Sequence, residues 1–138
     1  MRKKLNVLFC LLVLFSFFFI CKRSLIADTI DSELNDKLQS IKSNELISVI
    51  IYFKSQSDLK PYKGNPSDVL NSLKNTGKVT QKRMISFLQK EKAIGKVKEF
   101  RGFWVINAIS VTLDKDTIIK LAKWPEIKNI FLDGVISP

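Results

Sequence analysis

The segment Lys96 to Leu113, KVKEFRGFWVINAISVTL, sets the frame for the rest of the chain. It is rich in aromatic and β-branched residues but too long for one ordinary strand, so it reads as a β-hairpin. Arg101-Gly102 is the expected bend, because glycine enters the left-handed region without steric cost. A hairpin in mid-chain asks for an antiparallel sheet, and the flanking segments supply it. Leu46 to Phe53, LISVIIYF, is a strand with apolar residues at both parities, which suits a central position covered at least in part on both faces. A loop with Pro61, Gly64 and Pro66 ends it.

Two helical regions complete the pattern. Ser67-Asp68 opens a turn bearing Val69, Leu70 and Leu73, with an interruption expected near Gly77. From Thr80 the stretch TQKRMISFLQKEK puts Met84, Ile85 and Leu88 on one face with Phe87 beside it, and Gly95 stands in C-terminal position. After the hairpin, Asp114 or Asp116 caps a helix with Ile118, Leu121 and Ala122 inward, and Trp124-Pro125 stops it. Ile127 to Asp133 forms a last strand and GVISP a tail. The order β-α-β-β-α-β predicts an α+β, ferredoxin-like fold. It is a four-stranded antiparallel sheet with two helices on one face and the other face open. About 90 residues suffice for such a core, so the domain is marginal by itself.

Residues 1–27 read as an export segment: Arg2, Lys3 and Lys4 precede the apolar run LNVLFCLLVLFSFFFIC, and Ala27 offers a cleavage point. The run, Leu5 to Cys21, is roughly 26 Å long as a helix, which only just spans a bilayer core. The region is assigned as signal peptide or N-terminal anchor, and the protein as exported to the medium, periplasm or cell envelope. Residues 28–45 carry Ile30, Leu34, Leu38 and Ile41 at helical spacing and are expected to form a short amphipathic linker helix. Residues 46–138 make up the main domain.

Residue usage excludes several chemistries. The sequence has no histidine, and both cysteines, Cys10 and Cys21, lie in the leader. A Ser-His-Asp or Cys-His hydrolase, a histidine-ligated zinc site and a disulfide framework are thereby excluded beyond it. No metal, cofactor or small-molecule substrate is called for. Five of the 23 basic residues and none of the 13 acidic ones fall in residues 1–27, so the formal +10 becomes +5 beyond them. The remaining charge is concentrated: Lys74, Lys78, Lys82, Arg83, Lys90, Lys92, Lys96 and Lys98 stand against Glu91 alone. This is either a solvated helix surface or a face for nucleic acid or anionic lipid.

FRGFWVINA, Phe100 to Ala108, distinguishes further. RNA-recognition domains share this element order but need alternate aromatics on the open face. The odd residues Phe103, Val105, Asn107, Ile109, Val111 and Leu113 hold the larger apolar side chains and are expected to face the helices. The outward set is then Trp104, Ile106, Ala108, Ser110 and Thr112, with one aromatic and no stacking ladder. With Ile50 and Tyr52 from the first strand, this face is too apolar for plain solvent and reads as a docking surface, or as a surface covered by residues 28–45.

Gly95 to Asp133, GKVKEFRGFWVINAISVTLDKDTIIKLAKWPEIKNIFLD, together with LISVIIYFKSQ, resembles the propeptide family of subtilisin-like serine proteases, the proteinase-inhibitor prodomains. The resemblance covers about residues 46–138. It rests on four blocks in register: the second strand, the third strand VNA-S-TL, the second helix and the P-x-V-x-x-V opening of the last strand. It implies a domain that lays its open sheet face, here Tyr52, Trp104, Ile106, Ala108 and Ser110, on two surface helices of a protease. Asp133 matches a carboxylate that caps the N-terminus of such a helix, whereas Phe131 stands where the family often has a second carboxylate, which lowers the expected affinity for a standard subtilisin. The tail Gly134, Val135, Ile136, Ser137 and Pro138 is implied to enter the active-site cleft as an extended strand. Three roles remain open at this level: a non-catalytic inhibitor or folding chaperone acting in trans, an orphan or split prodomain of a separately encoded protease, and a basic module for nucleic acid or anionic lipid.

Overall fold

The computed structural model describes residues 28–62 and 65–134. The first described element is α1, Ser32–Ser40. Asp31 caps it by accepting the Glu33 amide at 3.1 Å. Leu34 and Leu38, one turn apart, are buried, and Ile30 and Ile41 on either side of the helix are buried with them. Strand β1, Leu46–Phe53, follows. Its odd residues Ile47, Val49, Ile51 and Phe53 are buried, while Ser48, Ile50 and Tyr52 between them are half-exposed. A single turn of 3-10 helix at Lys60–Tyr62 leads towards the long helix α2, Pro66–Ala93.

Helix α2 is one unbroken helix of 28 residues, not two pieces interrupted near Gly77. A glycine costs a helix interior only about 1 kcal/mol relative to alanine, too little to break one that is anchored through Gly77, Gln81, Met84 and Leu88. Gly77 is there for clearance: a Cβ on it would lie 3.0 Å from the Trp104 Cβ and 3.1 Å from the Trp104 Cα. Asn65 caps the helix, with Pro66 in the first turn. At its other end Gly95 takes φ +78°, the Gly95 amide donates to the Lys92 carbonyl and the Lys96 amide to that of Glu91. This is the Schellman arrangement, and it places the stop where the sequence puts it.

The hairpin consists of β2, Val97–Phe103, and β3, Ala108–Asp114. Its bend is the four-residue turn at residues 104–107, not Arg101-Gly102. Gly102 remains in the strand, opposite Ile109, because the Gln81 side chain lies over it; a Cβ there would meet Gln81 Oε1 at 2.5 Å. The left-handed residue is Asn107, with φ 41°, a conformation asparagine tolerates better than most side chains. Asn107 is almost wholly buried. It donates to the Ser55 carbonyl at 2.6 Å and accepts from Thr80 Oγ1 and Gln81 Nε2, each at 3.0 Å. One side chain thus ties the turn to α2 and to the segment after β1.

Asp114 ends β3 and caps α3, Lys115–Leu121, by accepting the Thr117 amide at 2.8 Å. Strand β4, Ile127–Leu132, closes the sheet. The strand order is β2-β3-β1-β4, with every neighbouring pair antiparallel. Leu34 and Leu38 of α1, Met84 and Leu88 of α2, and Ile118 and Leu121 of α3 join the odd row of β1 in one core. All three helices among the described residues therefore cover the same face. The fold is α+β and ferredoxin-like, with α1 added. Ahead of α1, Ile30 forms a parallel bridge to Ile130 on the outer edge of β4, where the Ile130 amide donates to the Thr29 carbonyl and the Asp31 amide to that of Ile130.

Candidate functional site

The face of the sheet on which none of the described helices packs is fixed by register. Ile50 pairs with Ser110 and Phe131, Tyr52 with Ala108 and Asn129, and Ser48 with Thr112. On the other side of β3, Phe103 pairs with Ala108, Arg101 with Ser110 and Glu99 with Thr112. Because pleated strands alternate, all these residues share one face, opposite the core row. They divide into two shallow depressions. One is apolar and lined by Ile50, Tyr52, Lys128, Asn129 and Phe131. In it the rings of Tyr52 and Phe131 meet edge to face, with centroids 5.5 Å apart. The other is lined mostly by polar residues, Ser48, Glu99, Arg101, Ser110, Thr112 and Asp133, together with Phe100 and Val111.

The polar depression is organised by hydroxyl groups. Ser48 Oγ and Thr112 Oγ1 lie 2.7 Å apart across the β1–β3 pair. Asp133, just beyond β4, donates its amide to the Ser48 carbonyl at 2.9 Å and accepts from Ser110 Oγ at 2.9 Å through Oδ2. A flexible acid at the end of a strand is thereby held on the open face. Gly134 follows, exposed, at the point where the chain leaves the sheet. Val135, Ile136, Ser137 and Pro138 lie outside the described residues, as do residues 1–27, expected from the sequence to be a signal peptide or anchor.

Of the sequence-predicted face residues, Tyr52, Ala108 and Ser110 fall on this surface, with Ala108 fully buried beneath its neighbours. Trp104 and Ile106 do not. Both belong to the 104–107 turn, and Trp104 lies on the helix side, against Gly77 and with the Lys74 ammonium 5.5 Å from its ring. The odd-even alternation used to place them holds only inside a strand, and β3 begins at Ala108. Phe103, Phe131 and Asn129 join the face instead. The parity of β4 was enough to find Phe131, two residues before Asp133. Phe103 required the true position of the bend, which Asn107 sets through tertiary hydrogen bonds. Residues 28–45 leave the open face bare, since their apolar side chains go to the core.

A family model described as peptidase inhibitor I9 matches residues 48–137, from the first strand through the tail. The chain belongs to the peptidase inhibitor I9 family. This is the subtilisin-propeptide family that the sequence resembles. No curated protein and no solved structure matches the chain. I9 domains bind subtilisin-like proteases as propeptides or inhibitors, and the family is non-catalytic. The match leaves out α1, so Ile30, Leu34, Leu38 and Ile41 are core residues this chain adds ahead of the matched span. Among the described residues no cluster of acidic or sulfur ligands is placed to hold a metal, and no helix is long and apolar enough to cross a membrane.

Proposed function

We propose that this I9 domain is an exported inhibitor and folding helper that acts in trans on a subtilisin-like serine protease by binding alone. The observation that carries the reading is the row Phe103, Ile50, Tyr52 and Phe131 on a sheet face that none of the three helices covers. Large apolar side chains left half-exposed side by side mark a surface that stability alone does not explain. The helix N-terminus of a partner suits the carboxylate of Asp133, since unpaired amides and the helix dipole attract an anion. Ser110 orients that carboxylate before the partner arrives, which lowers the ordering cost of binding.

In this arrangement the open face lies on the protease surface and Gly134 to Pro138 enter the cleft. The tail adds a strand to the substrate-binding edge, where main-chain hydrogen bonds supply affinity and Ile136 fills an apolar subsite. Phe131 replaces a second carboxylate by an aromatic edge, so the preferred protease offers an apolar contact at that place. The test is inhibition of a panel of subtilisin-like proteases by the chain from Asp28 onward, beside one ending at Asp133. Inhibition lost with the last five residues supports docking through the tail. If a folded chain inhibits nothing at high micromolar concentration with either end, the proposal is wrong.

A further inference from the structure

The hairpin turn is a second exposed apolar feature, which follows the open face directly after Phe103 and is not part of the proposed protease contact. Trp104, Val105 and Ile106 are 37, 56 and 44% exposed in succession. None of the three belongs to the buried core cluster, and Trp104 rests against Gly77 with its outer part exposed. The tip stands beside α2, where Lys74 and Lys78 flank Trp104 around a shallow depression and Leu70, 42% exposed, lies one turn before Lys74. From Leu70 to Lys90 the helix carries no acidic side chain, and the basic residues in that span, Lys74, Lys78, Lys82, Arg83 and Lys90, are exposed.

The path of the chain supplies a second argument. The Asp28 carbonyl accepts from Asn129 Nδ2 at 3.2 Å, and Asn129 pairs with Tyr52, itself opposite Ala108. Asp28 therefore stands at the hairpin end of the sheet, three strand spacings or roughly 14 Å from the turn. The 27 residues before it contain an apolar run from Val7 to Cys21, broken only by Ser16, which as a signal peptide or anchor would bring this end of the domain to a bilayer before any cleavage. Asp133 and the tail leave from the opposite end of the sheet.

We infer that the Trp104–Ile106 tip and the Lys74–Lys78 side of α2 form a peripheral binding site for an anionic lipid bilayer. The tip inserts among acyl chains at the interface, where tryptophan is favoured, and the lysines meet the lipid phosphates. Nucleic acid would satisfy the lysines but would leave Val105 and Ile106 in water. So seated, the domain turns its open face sideways and its tail away from the bilayer, and both remain free for a protease.

The experiment uses the full chain with Trp124→Phe, which leaves Trp104 as its sole tryptophan. The protein is added to vesicles of phosphatidylcholine with phosphatidylglycerol, or of phosphatidylcholine alone, carrying brominated acyl chains. The leader holds the protein on both kinds of vesicle, so the readout is contact by Trp104 and not co-sedimentation. Quenching and a blue shift of Trp104 in anionic vesicles are expected, with loss of both in Val105→Ser/Ile106→Ser and in Lys74→Ala/Lys78→Ala, whose fold is checked by circular dichroism. Trp104 unquenched by bromolipid and open to aqueous iodide on both vesicles would overturn the inference. So would quenching by an oligonucleotide that the Ser variant retains, or a blue shift already present without vesicles, which would mean that the chain covers its own tip.

Discussion

The two rows of side chains on β1 alternate residue by residue and meet different fates. Ile47, Val49, Ile51 and Phe53 vanish under three helices, whereas Ser48, Ile50 and Tyr52 are left half-exposed on the bare face. In the sequence both rows read as parts of one apolar run. The difference is topological. All three helices pack on a single side, so the apolar content of the second row exceeds what folding uses. What the helices do not bury is available for recognition, and in an I9 domain recognition is the purpose of the fold.

That contrast is broken most directly at adjacent positions. Ile51→Ala removes a fully buried side chain and is expected to cost about 2–5 kcal/mol in urea unfolding. Ile50→Ala, next to it, is expected to cost under about 1 kcal/mol while weakening protease inhibition. Equal losses of stability at the two sites would mean that the rows are not different in kind. Asn107→Ala comes second. It removes three hydrogen bonds and leaves the Ser55 carbonyl without its partner, while Thr80 keeps the Thr76 carbonyl and Gln81 the Phe103 carbonyl, for a loss of about 2–3 kcal/mol by the same assay. Inhibition measured well below the midpoint should not change.

Smaller effects sharpen the open face. Phe131→Ala deletes the edge-to-face contact with Tyr52, worth about 0.5–1.5 kcal/mol, and should reduce inhibition by more than it reduces stability. Gly95→Ala has nothing within 4 Å of the new Cβ, so its cost is the left-handed backbone alone, about 1 kcal/mol, with no effect on inhibition. Ser110→Ala leaves the Asp133 carboxylate unheld, with its amide still on the Ser48 carbonyl, and should change stability least, by about 0.5–1 kcal/mol. Its effect is expected in the rate of complex formation with the protease, measured by stopped flow.

The element order was legible because strand and helix periodicities are strong over Leu46–Phe53 and Met84–Leu88, and Gly95 and Asp114 punctuate them. The hairpin bend was not legible. Phe103-Trp104-Val105-Ile106 has the composition of a strand, and the residue that turns the chain, Asn107, does so through tertiary hydrogen bonds to Ser55, Thr80 and Gln81 that no local pattern reveals. That displacement carried Trp104 and Ile106 onto the wrong surface. Gly77 misled in the opposite sense, since its reason is the close approach of Trp104, nearly thirty residues away in sequence. In the candidate site, Tyr52, Ser110 and Asp133 follow from register alone, while Phe103 depends on knowing where the turn ends.

The bridge between Ile30 and Ile130 has a bearing on how the protein keeps apart from its own copies. An open sheet offers two free edges, and each is a template on which another chain can polymerise. Here the β4 edge is occupied at its middle by the chain's own N-terminal segment, with Lys128 beside it. The β2 edge presents Lys98, Glu99 and Arg101, all exposed, where an incoming strand would have to lie. A molecule proposed to offer an extended segment to another protein's cleft is thus guarded against pairing strand to strand with itself.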